Sequence, residues 1–87
     1  VVFLQTYNPF SLGLGESAQE RESSAMVARL NAVAAEVATA RGVAVADGFT
    51  PMQGTTAATT HMLDAEPDIH PNAAGHDVLA GALVDAR

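Results

Sequence analysis

A short apolar run, a long amphipathic stretch and a second short apolar run, separated by brief joints, set the main limit on how this chain can fold. Val1 to Thr6 is nearly continuous apolar sequence rich in β-branched residues. That is the pattern of a strand covered on both faces in a parallel sheet, and Asn8-Pro9 ends it. From Ser17 or Ser23 to Arg41, the residues Met26, Leu30, Val33 and Val37 fall on one helical stripe with Val27 and Ala34 beside it. This stripe is expected to lie against the sheet. Glu16, Glu20 and Glu22 near the helix start and Arg41 near its end suit the helix dipole. Gly42 is a natural stop, and Val43 to Ala46 reads as the next strand. Strand, helix and strand in this order predict a right-handed βαβ crossover, hence an α/β fold with a parallel sheet.

Beyond Asp47-Gly48 the periodicity fades. Phe49 to Pro67 holds five threonines and a Gln-Gly turn. It reads as a surface loop, with at most a short helix near Thr56 to Leu63, and a loop of that length points to a functional wall or lid. A final helix is expected from about Asn72, a good N-cap, with Val78, Leu79, Ala82 and Leu83 as its buried stripe. The chain begins on a strand without a methionine and ends in mid-pattern at Asp85-Ala86-Arg87. Both ends are therefore expected to mark a fragment of a larger domain.

The chemistry concentrates just ahead of the last helix, in Asp68-Ile69-His70-Pro71-Asn72-Ala73-Ala74-Gly75-His76. A carboxylate beside a histidine fixes the ring's tautomer and stabilises its protonated form, as a general base requires. Pro71 biases His70 towards extended geometry, so the ring would sit on a stiff segment. On spacing alone, the alternative is a histidine that braces the helix and an aspartate in solvent. Tyr7 and Asn8, just past the first strand, are candidates to line a substrate cleft, with Tyr7 otherwise an ordinary half-buried aromatic. Asp47 lies at a strand end, where α/β folds place ligand groups, and it can equally cap the turn at Gly48.

Composition removes several classes of function. A net charge of −6 with four basic residues argues against nucleic acid or an anionic membrane as the main partner. No apolar run is long enough to span a bilayer. Without cysteine there is no thiolate nucleophile. His61, Asp64, Asp68, His70 and His76 raise a metal reading, but no pair has the spacing that sets two imidazoles on one helical face.

The run Asp-Ile-His-Pro-Asn-x-x-Gly-His followed by an apolar helix resembles the last sequence block of the SGNH hydrolases, the GDSL-type esterases and lipases. Val1 to Phe10 and Val43 to Asp47 resemble strands in the second half of that fold. The resemblance implies that residues 1–87 are the C-terminal portion of a single three-layer, flavodoxin-like α/β/α domain. It implies hydrolysis of small-molecule or lipid carboxylic esters through an acyl-serine, with His70 as base and no cofactor. The family's final block usually reads Asp-x-x-His, whereas Pro67 stands three residues before His70 here. The orienting acid is expected to be Asp68, with Asp64 and Glu66 as the other candidates. The family's Gly-Asp-Ser block, glycine block and asparagine block are not in these 87 residues. Two alternatives stand beside this reading. One is a non-catalytic module whose exposed sheet edge pairs with a partner chain, and the other is a metal-binding hydrolase fragment.

Overall fold

A computed structural model describes residues 1–15 and 17–86. The expected acid at Glu16 lies outside the described residues. Strand β1, Val2–Leu4, leads through a loop into helix α1, Ala18–Ala40, and then into strand β2, Ala44–Ala46. The two strands pair in parallel, with Val2 opposite Ala44, Phe3 opposite Val45 and Leu4 opposite Ala46. The ladder is extended by a bond from the Gln5 amide to the Ala46 carbonyl at 2.9 Å. Ser17 caps α1 through a 3.1 Å bond from the Glu20 amide, and Gly42, at a φ of 73°, makes the turn that releases the chain into β2. The βαβ connectivity expected from the sequence is thus present, as is the mixed α/β class.

The rotation of α1 differs from expectation. Met26, Leu30, Val33 and Val37 are 72%, 61%, 55% and 53% exposed, while Asn31 is buried. The cause is a polar clamp. The Asn31 side chain accepts from the Thr6 amide at 3.0 Å and donates to the Thr6 carbonyl at 2.8 Å. At about 100° per residue, seating Asn31 on the end of β1 turns the apolar stripe roughly a third of a turn away from the sheet. Asn8 adds a second clamp, donating from its amide to the Ser23 and Ser24 hydroxyls at 2.9 and 2.8 Å.

The segment from Phe49 to Pro67 carries the short helix allowed near Thr56, and the rest of it is more ordered than the surface loop expected. It contains a 3-10 turn over Thr50–Met52, helix α2 over Thr56–Thr59 and strand β3 over Thr60–His61. Its threonines bond backbone carbonyls, Thr56 donating across 47 residues to Pro9 at 2.8 Å and Thr59 locally to Thr55 at 3.0 Å. Met52 and Thr56 are fully buried. Asp47 takes the capping alternative, accepting from the Phe49 and Thr50 amides at 2.9 Å each.

Strand β4, Asp68–Pro71, runs antiparallel to β3, and helix α3, Ala73–Asp85, follows it. Val78, Leu79 and Ala82 are partly covered, while Leu83 is 38% exposed at the edge of that face. Asn72 joins these pieces. Its side-chain oxygen caps α3 by accepting from the Gly75 amide at 3.0 Å, its NH₂ donates to the Ala58 carbonyl at 2.8 Å, and its backbone N–H donates to the Thr59 carbonyl at 2.9 Å. Gly75 is buried where a β-carbon would collide with the Thr59 carbonyl, so α3 approaches α2 at backbone distance. Asn72→Ala removes the cap together with the side-chain bonds to the Ala58 and Thr60 carbonyls. It should lower unfolding free energy by about 1–3 kcal/mol, read from the shift in urea midpoint at constant m-value.

Candidate active site

The histidine block lies on strand β4 and its irregularity. Thr60 pairs with Pro71 and His61 with Asp68, so one step along β3 spans three residues of β4. Ile69 and His70 therefore lie in a bulge. A bulge leaves residues outside the ladder and re-aims their side chains, and it recurs beside active sites. Pro71 contributes by lacking an N–H to donate where β4 gives way to α3.

Within the bulge His70 and Asp68 meet. One carboxylate oxygen of Asp68 accepts the His70 backbone N–H at 2.9 Å and also forms a short bond with ring Nδ1. The His70 side chain is 77% exposed and that of Asp68 is 50% exposed. The backbone N–H of His70, and then its ring, hold the Asp68 carboxyl below the usual 3.8; the nearby imidazole of His61 adds to this. Nε2, on the far side of the ring, has no hydrogen-bond partner among the described residues.

The other acids separate clearly. Asp64 bonds Nδ1 of His61 at 2.8 Å, making a second histidine–aspartate pair on the neighbouring strand. No bond joins Glu66 to His70 among the described residues. This second pair was not anticipated from the sequence, although His61 and Asp64 at a spacing of three are the signal that could have found it. His76, in the first turn of α3, is exposed. Among the described residues, no three histidine, aspartate or glutamate side chains converge where they could hold a metal ion.

Tyr7 and Asn8 part company. The Tyr7 hydroxyl donates to the Ile69 carbonyl at 2.6 Å, which puts Tyr7 against the histidine segment. Asn8 is only 1% exposed, and its polar atoms are bonded to Ser23, Ser24 and the Phe10 amide. The expectation that Asn8 lines a cleft does not match this placement. Its amide is already engaged in bracing the loop against α1.

The model of the GDSL-like Lipase/Acylhydrolase family matches residues 1–78, which takes in both parallel strands, the bulge and the start of α3. The chain belongs to that family. Comparison with curated proteins and with solved structures returned no match. That family is one of ester hydrolases, and the parallel βαβ unit is compatible with part of the flavodoxin-like SGNH hydrolase fold expected of it. None of the chain's helices is long and apolar enough to cross a membrane among the described residues. A groove of about 580 Å³ between β2 and α3, with Val45, Thr50, Val78 and Ala82 in its walls, contains neither Asp68 nor His70.

Proposed function

We propose that this chain supplies the general base and its orienting acid to a serine-type hydrolase of carboxylic esters. The observation that carries the reading is the double bond pattern at Asp68, one oxygen holding both the backbone N–H and ring Nδ1 of His70. With Nδ1–H directed at a carboxylate, Nε2 becomes the basic nitrogen and faces outward. It would take the hydroxyl proton as a serine Oγ attacks the ester carbonyl, then deliver that proton to the departing alcohol. Asp68 would stabilise the imidazolium between these steps. In the second half-reaction the same nitrogen would deprotonate water, which releases the acyl group and restores the serine.

The serine is assigned to sequence outside residues 1–87. Ser11 is buried and accepts from the Gly54 amide, Ser17 caps α1, and Ser23 and Ser24 hold Asn8. Donors for the tetrahedral oxyanion would come from the same outside sequence. Two features support residues 1–87 as the C-terminal portion of a single larger domain. Ala46 and Met52 are the only buried apolar residues among those described, a small core for a chain that is 48% hydrophobic. The exposed stripe from Met26 to Val37 and the open edges of a two-stranded sheet also offer surface that a larger α/β domain would cover. Sequencing the complete reading frame tests this. An in-frame Gly-Asp-Ser block upstream of Val1 is the expected result, and an initiation codon directly before Val1 would overturn it.

A further inference from the structure

We propose that Tyr7 is a positioning residue for His70, its hydroxyl fixing the Ile69 peptide so that the bulge presents the Asp68–His70 pair in one orientation. This deepens the proposed hydrolase reading and rests on it for its kinetic test.

The bulge sets Ile69 outside the paired positions of β3 and β4, so its carbonyl is free of that ladder. The Tyr7 hydroxyl is its partner, at 2.6 Å and 62 residues away in sequence. Ile69 lies between the acid and the base, and rotation of its peptide would move Asp68 and His70 relative to each other. Tyr7 itself has little freedom. It follows directly on Thr6, whose backbone N–H and carbonyl are both held by Asn31, and precedes the buried Asn8. A rigid chain of contacts thus runs from α1 through the exit of β1 to the bulge. Partial burial, and then the negative charge of Asp68, push the Tyr7 phenol above its usual 10.0, so the hydroxyl keeps its proton for the Ile69 carbonyl through the neutral range.

A positioning hydroxyl and a substrate-binding hydroxyl predict different kinetics. In the complete hydrolase, Tyr7→Phe should lower kcat for p-nitrophenyl acetate about tenfold and leave KM within about twofold, because a loosened base loses alignment and not substrate affinity. A raised KM with unchanged kcat would overturn the proposal in favour of a substrate contact. A lower urea midpoint with both constants unchanged would overturn it in favour of a purely structural bond. His70→Ala, assayed in parallel, reports on the hydrolase reading itself. If turnover does not depend on His70, that reading fails, and the positioning claim is decided by hydrogen exchange at the His70 amide. That amide donates to Asp68 within the bulge, and Tyr7→Phe should speed its exchange about fivefold or more. Equal exchange in the two proteins would overturn the proposal.

Discussion

Replacing His70 with alanine in the complete hydrolase should reduce p-nitrophenyl acetate turnover by at least about a thousandfold and leave the fold intact. The two halves of this expectation have separate grounds. The side chain is 77% exposed, and its only bond among the described residues is to Asp68, so truncation opens no cavity and strands no buried group. A surface histidine with those properties contributes little to stability. The loss of rate comes instead from Nε2, since without it neither the serine hydroxyl nor the deacylating water has an acceptor for its proton. Circular dichroism and the urea midpoint, measured beside the kinetics, separate the two effects.

Asp68→Ala should cost about a hundredfold to a thousandfold in kcat, whereas Asp64→Ala should change it by no more than about twofold. Asp64 bonds His61, so its removal leaves the His70 ring untouched. Asp68 holds His70 at two points, and its loss frees both the ring and the backbone N–H. The pH dependence has a fixed sign. Because the native Asp68 carboxyl lies below the usual 3.8, its brace on His70 is fully present above that value. It is lost as pH falls through the lower native value. A carboxyl carbon NMR titration should therefore place the Asp68 midpoint below 3.8 in the folded chain, and a midpoint at or above it would show that the bonds from His70 are absent in solution.

The parts of the molecule legible in the sequence are those fixed by local periodicity and local chemistry. The β1–α1–β2 unit follows from two apolar runs, an N-capping serine and a stop glycine, and the α3 cap follows from Asn72. The pairing of Asp68 with His70 was readable because two residues of separation on an extended chain leave the carboxylate within reach of both the amide and the ring. Long-range polar contacts were not readable. The face that α1 presents was decided by Asn31 reaching Thr6 across 25 residues, and an asparagine in a helix carries no mark of such a clamp. The threonine-rich segment looked aperiodic because hydroxyl-to-carbonyl bonds, and not an apolar stripe, organise α2 and β3. The bulge was hidden for a related reason. It arises from the register between β3 and β4, which depends on how Asn72 and Gly75 seat α3 against α2.

The central claim is that His70, oriented by Asp68, serves as base to a serine. The most direct test is the rate at which a fluorophosphonate labels that serine in the complete enzyme, wild type beside His70→Ala. Labelling requires the serine to lose its proton as it displaces fluoride from phosphorus, but no later hydrolysis of the adduct, so it isolates the attack step assigned to Nε2. The rate should fall at least about a hundredfold in the variant. Equal labelling of the two proteins would contradict the assignment of His70 as the base.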